Sequence, residues 1–357
     1  MMRMGLVGIL VATGCTIDPT PSWDGQAEGV ESVPPSVYTA EDGEVEEPVA
    51  AGDDADDVFE SGDTEDAPLI EFTQTATTWW SATSIAVGPR GEEGLMGMEG
   101  GGACVILPDD GDLGDEEDVH DCPDEPIAYF ANGNALVGGI GCDDLAIYAG
   151  NGRVMTVEAN GLVAADAMGD QFVSVQTGDD GCSVSIREGR HTVETIAVDS
   201  ALCESPSLVT DAATGEIFVA AGSLWAIADG KSHLLADDAG DLLALDRASG
   251  TLVTAFAGGT QISGFAVDGT ELWSQATEGP VARLHEVGDV GAVMAHLENN
   301  PNDVGRFVAY GSADGSVWGE SIAWPQIRDL DVSADGSTMV VSTGTSTVYS
   351  YGIRLAD

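Results

Sequence analysis

The 357-residue chain carries 62 aspartates and glutamates against 11 lysines and arginines, a formal net charge of −51, and Lys231 is its one lysine. That balance excludes an electrostatic nucleic-acid binder, which needs cations clustered against phosphates. The length suffices for one large all-β domain with a real core, and the charge favours solubility while repelling anionic lipid surfaces.

The first fifteen residues, MMRMGLVGILVATGC, place Arg3 before an apolar run from Leu6 to Val11 and then small residues ending at Cys15. The run is too short to span a bilayer and reads as a signal peptide over residues 1–14. The stretch Ala12-Thr13-Gly14-Cys15 resembles the bacterial lipobox, with Ala12 where that family usually has Leu. The resemblance implies a diacylated Cys15 at the mature N-terminus and a membrane association through that lipid. Thr16 and Ile17 follow, and the lack of Asp at the first of these positions resembles lipoproteins sent to the outer membrane.

Residues 16–70 hold 17 acids and no cation. Low hydrophobicity with one sign of charge cannot bury enough surface to fold, so residues 15–68 are expected to form a disordered acidic tether. The other 45 acids face 10 cations from Glu71 onward, which makes the remaining domain, residues 69–357, anionic in its own right. Near-absence of lysine beside excess acid resembles proteins of saline habitats; a surface for cations or a basic partner gives the same statistic.

Beyond the tether, glycine-bearing turns flanked by alternating apolar residues recur. Gly111, Gly152, Gly189, Gly230, Gly269, Gly315 and Gly352 are spaced by 41, 37, 41, 39, 46 and 37 residues. A period near 40 matches four short strands per propeller blade. One unit reads SLVTDAATG, EIFVAAG, LWAIADG, SHLLADDAG, four runs with turn residues at each junction. Seven such units predict an all-β fold, a seven-bladed β-propeller. The segments AVDGTELW (266–273) and VSADGSTMVVS (332–342) resemble WD-repeat and PQQ-type propeller repeats. The WD dipeptide and the Gly-His pair are missing, as is the adjacent Cys-Cys pair of quinoprotein dehydrogenases, so no PQQ or other cofactor is expected. Blade seven runs out after three strands, and an uncovered strand would leave a row of unpaired amides and carbonyls. The orphan run LIEFTQTATTWW (69–80) is rich in β-branched and aromatic residues. Residues 70–77 are therefore expected to pair with residues 347–353 as the outermost strand.

In this register Cys104, Cys142 and Cys182 start third strands, while Cys122 and Cys203 sit in links between blades, all on one face. Equivalent sites on adjacent blades are too far apart to bridge, which predicts the disulfides Cys104–Cys122 and Cys182–Cys203 and leaves Cys142 free. The loop at residues 109–125 carries ten acids. Its order does not fit an EF-hand, so it reads as a solvated loop with at most weak Ca²⁺ affinity. His120, His191, His233, His285 and His296 show no metal-ligand spacing, and SADGSVW (312–318) is one residue short of the Asp-box turn of sialidase propellers.

With no catalytic set in the sequence, a non-catalytic scaffold for an envelope protein partner is the leading expectation. Anchor plus propeller resembles the lipoprotein subunit of the outer-membrane β-barrel assembly machinery, which has eight blades and no such tether. The alternative is a glycan hydrolase or lyase using paired acids such as Asp143 and Asp144 or Asp237 and Asp238 at the channel mouth.

Overall fold

The computed structural model describes residues 69–356 apart from 79–81, 99–102, 107–112, 118–125, 139–143, 150–152, 179–180, 300–303, 321–323, 326 and 345. The expected signal peptide, Cys15 and the tether lie outside the described residues. After β1 (Leu69–Thr78), the strands fall into successive antiparallel sheets. The first holds β2 (Ala82–Val87), β3 (Gly94–Met98), β4 (Ala103–Ile106) and β5 (Leu113–Glu117); the second holds β6 (Pro126–Tyr129), β7 (Ala135–Val137), β8 (Asp144–Ala149) and β9 (Arg153–Glu158). Next come β10 (Leu162–Met168), β11 (Gln171–Gly178), β12 (Gly181–Glu188) and β13 (His191–Val198), then β14 (Ser207–Asp211), β15 (Glu216–Ala221), β16 (Ser223–Ala228) and β17 (Lys231–Ala236). The following sheet comprises β18 (Leu242–Asp246), β19 (Thr251–Ala255), β20 (Gln261–Ala266) and β21 (Glu271–Ala276). Then stand β22 (Val281–Glu286), β23 (Ala292–Asn299), β24 (Val304–Gly311) and β25 (Val317–Glu320), with β26 (Trp324–Pro325) beside β24. The last sheet is β27 (Ile327–Val332), β28 (Thr338–Thr343) and β29 (Thr347–Ala356), completed by β1.

The first strand of each sheet packs on the first strand of the next, and β27 returns to β2. This is an all-β propeller. Six blades are described across all four strands; in the blade of β2–β5 the side chains of β4 and β5 lie outside the described set.

Second strands pack against both neighbouring blades, so they are buried on both faces and their burial does not alternate. All five residues of β19 and all six of β28 are buried. The buried apolar side chains form clusters that each fill one seam between successive blades, such as Phe218, Leu243 and Leu252 in one and Phe130, Leu136 and Phe172 in another. The glycines that set the sequence period serve the same seams. Gly189, Gly230, Gly269 and Gly315 all have positive φ in third-to-fourth-strand turns, and there a side chain would strike the outer strand of the blade before: Met155, Glu194, Leu235 and Trp273 in turn. Gly352 departs from the series, because it lies inside the continuous strand β29 and makes no turn.

β1 joins the two ends of the domain. It runs antiparallel to β29 from Leu69 opposite Ala356 to Thr78 opposite Val348, with a bulge between Gln74 and Ala76. Ile70 is buried against Phe307 and Tyr351 in the seam between the last two blades.

Candidate functional site

Two faces and a channel organise the polar residues. One face, the turn face, carries the first-to-second and third-to-fourth turns of each blade; the other, the link face, carries the remaining turns and the links between blades. On the link face Asp199, Glu204, Asp237, Asp238, Glu278, Glu298 and Glu320 are exposed beside Phe256. Two arginines toward that face are bonded to acids: Arg283 to Asp329, and Arg306 to Glu278 and Glu320. On the turn face Arg90, Lys231 and Arg354 are exposed and have no hydrogen-bond or ion-pair partner among the described residues.

The innermost strands place an acid near their turn-face ends: Asp166, Asp211, Asp246, Glu286 and Asp331, with Asp329 further along the same strand as Asp331. Four of these acids cross the seams. Asp166 accepts the Thr210 amide at 2.8 Å and the Thr210 hydroxyl at 3.0 Å. Asp329 accepts the Ile85 amide and Asp331 the Val87 amide, both at 2.7 Å. Glu286 accepts the Arg247 amide and pairs with its guanidinium, which also donates to the Thr210 carbonyl at 3.0 Å. A carboxylate fits here because an inner strand's outward amides meet no further strand, and an ordinary side chain would leave them unbonded.

The same burial raises the proton affinity of these acids. Desolvation lifts Asp331 and Glu286 to about 7 and also raises Asp166 and Asp329 above the usual carboxylate range. Burial, then Glu93, Tyr148 and Asp331, raise Tyr129. In the blade of β22–β25, burial and then Arg283 hold His285 at about 3 and His296 at about 4, so both rings are neutral. His285 Nε2 and His296 Nδ1 are buried without a hydrogen-bond partner. Among the described residues no group of three or more His, Cys, Asp and Glu is placed to hold a metal ion.

The expected residues fare unevenly. Cys182 and Cys203 are joined, with Cα atoms 5.8 Å apart, tying β12 to the short 3-10 turn Ser200–Cys203. Cys104 is the second residue of β4, opposite Glu116 of β5, while Cys122 and Cys142 lie outside the described residues. The acidic stretch at 109–125 is not wholly a loop: its residues Leu113–Glu117 form β5, whose backbone covers β4. Asp237 and Asp238 are exposed in the link after β17, Asp238 with φ of 51°, far from the turn-face ends of the inner strands. Asp144 opens the third strand β8, and Asp143 lies outside the described residues. The structure therefore does not bring Asp237 and Asp238 to the turn-face ends of the inner strands. The acids that do meet there were legible only as a recurrence in the register of the first strand, at intervals of 35 to 45 residues. The Asp-box-like turn is structural: Asp314 accepts the Ser316 amide at 2.9 Å and its hydroxyl at 2.7 Å, and Trp318 donates to Ser316 at 3.0 Å.

No protein-family model matches the chain, and no curated protein matches it in sequence. Solved structures do. The chain is similar to the β-propeller domain of Cps50 (Swd1) from Myceliophteria thermophila, with a TM-score of 0.63 and 12% identity over 79% of this chain and 99% of that one. It is also similar to the C-terminal WD40 domain of Sif2, with a TM-score of 0.57 and 13% identity over 76% and 81% of the two chains. At such identities the likeness is one of fold: this is a WD40-like β-propeller.

Proposed function

We propose that the protein is a membrane-anchored, non-catalytic propeller scaffold that binds a protein partner in the cell envelope. The single observation that carries this reading is the use made of the channel acids. Asp166, Glu286, Asp329 and Asp331 bond to the backbone and side chains of neighbouring blades, so their buried charge is committed to holding the ring. We infer further that the ring has seven blades; the return contact from β27 to β2 and the separate apolar cluster at each seam support that count. Cys15 would carry the lipid, and residues 15–68 would set the distance from an outer membrane. The acidic link face suits a partner presenting basic residues.

The test is capture from envelope fractions by the tethered protein, comparing wild type with a Cys15→Ala form and with Asp237→Lys/Glu320→Lys on the link face. Loss of one specific partner on charge reversal, and release of Cys15→Ala from membranes, are the expected results. A second reading, a carboxylate-based glycan hydrolase or lyase, is favoured by Asp331 and Glu286, whose pKa values of about 7 suit a general acid. Glycan cleavage by wild type that disappears in Asp331→Asn would overturn the scaffold reading.

A further inference from the structure

Three arginines of the described domain, Arg247, Arg283 and Arg306, are bound to carboxylates, and Arg187 and Arg190 donate to the backbone carbonyls of Glu158 and Thr156. In a chain with more than five acids per cation, an arginine side chain left with no partner at all stands out. Arg90 and Arg354 are two such residues, and they line one cleft of about 340 Å³ together with Thr75, Glu92, Ser337 and Gly352.

The cleft lies on the turn face where the ring closes. Arg90 stands on the turn between β2 and β3; Arg354 stands on β29, in the blade that meets this one. The two walls are fixed to each other by the backbone, since the Asp335 amide donates to the Pro89 carbonyl at 3.1 Å and the Ile353 amide to the Ser337 carbonyl at 2.8 Å. Two further features keep the space open. β1 bulges at Thr75, and bulges recur at sheet edges beside functional sites. Across from it Gly352 has no side chain; a Cβ there would sit 3.7 Å from Thr75 Cγ2, an ordinary contact, so glycine is not demanded by the packing. Glu71 stands directly opposite Arg354 on β1 yet forms no ion pair with it.

We propose that this cleft is an anion-binding site in which Arg90 and Arg354 grip a carboxylate or phosphate group across the ring-closing seam. Guanidinium groups offer planar pairs of donors that match both oxyanions, and the volume suits a small ligand. Glu92 in the lining, with Glu71 opposite Arg354 on β1, offsets the two guanidinium charges and opposes any anion. It thereby favours a ligand whose anionic group is compact and whose remainder lies toward the Thr75 side. The inference stands apart from the scaffold reading, since it requires neither a lipid anchor nor a protein partner.

The experiment is calorimetric titration of the full mature chain with inorganic phosphate and with succinate, each against chloride at matched ionic strength, because any salt screens so acidic a protein. Saturable binding that weakens about tenfold or more in Arg90→Gln and in Arg354→Gln is expected, with tighter binding in Glu92→Gln. Gly352→Val fills the cleft without touching either arginine and should also abolish binding. Preference for phosphate points to a phosphorylated ligand, and preference for succinate to a carboxylate such as a chain terminus. Equal heats from chloride, or arginine variants that bind as wild type does, overturn the proposal. If an arginine variant folds poorly, protection of Arg90 and Arg354 from phenylglyoxal by phosphate in the wild-type chain decides it: no protection means no site.

Discussion

The seam between β10–β13 and β14–β17 and the seam between β27–β29 and β2–β5 hold similar apolar clusters but are secured in different ways. The first joins blades that are neighbours in sequence and adds a disulfide whose cysteines are 21 residues apart. The second brings together residues 244 apart, as in the bonds from Ile85 to Asp329 and from Val87 to Asp331. Closing so long a loop costs more chain entropy than closing a short one, and no disulfide joins those two blades among the described residues. Buried carboxylates, the Asp335-to-Pro89 backbone bond and the whole of β1 take that role instead. A propeller can thus secure a local seam cheaply, whereas the closing seam needs many simultaneous hydrogen bonds.

The largest break in that comparison is removal of β1. Trimming the chain through Trp80 exposes the full edge of β29 and unburies Ile70, and should cost on the order of the stability of a whole domain, roughly 5 kcal/mol or more. Trimming only through Ala67 should leave the denaturant midpoint nearly unchanged. Equal midpoints for the two truncations would remove β1 from the closure.

Cys203→Ser should cost about 3 kcal/mol, the loop-entropy value for a closed loop of this size. Reductant should lower the wild-type midpoint at least as far as that of the variant. A closing seam that loosens as much as the local one, read by amide exchange at Ile85 and Val87, would contradict the separation drawn here.

Asp329→Ala strands the Ile85 amide and frees Arg283, and should cost about 2 kcal/mol, near that of a buried donor left without its acceptor. Asp329→Asn retains an acceptor and should cost less. If the two variants are equally destabilised, charge rather than acceptance by Asp329 holds the seam.

The smallest effect is a pH dependence. Asp331 has its folded pKa raised to about 7, so its contribution is fully present below the ordinary carboxylate pKa and is lost as pH rises through 7. Asp331→Asn keeps an acceptor for Val87 and should gain on the order of 1 kcal/mol relative to wild type between pH 5 and pH 8.5. His285 and His296 act oppositely: with folded pKa values of about 3 and about 4, they cost stability as pH falls below the ordinary histidine value. Because the histidines and the raised acids pull in opposite directions, the wild-type profile alone does not isolate Asp331; a difference between Asp331→Asn and wild type that stays constant from pH 5 to 8.5 would contradict its assignment.

What the sequence by itself determined was whatever repeats or is local. Turn glycines such as Gly230 and Gly269 announce the strand period because only positive φ closes those hairpins without strain, and the pairing of Cys182 with Cys203 follows from their places in one register. The placement of residues 70–77 on β29 was legible too, since an unpaired edge and an orphan strand each call for a partner. The tertiary structure decided the rest. Asp331 reads in sequence as one acid among 62, and nothing local distinguishes it from Asp237, which lies exposed in a link. Likewise Leu113–Glu117 reads as solvated acid, yet its backbone covers β4. Charge density is visible in a sequence, but desolvation is not: which acids are buried against a stranded amide, and which arginines are left without an acid, depends on residues in other blades, 39 to 244 positions away in the bonds described.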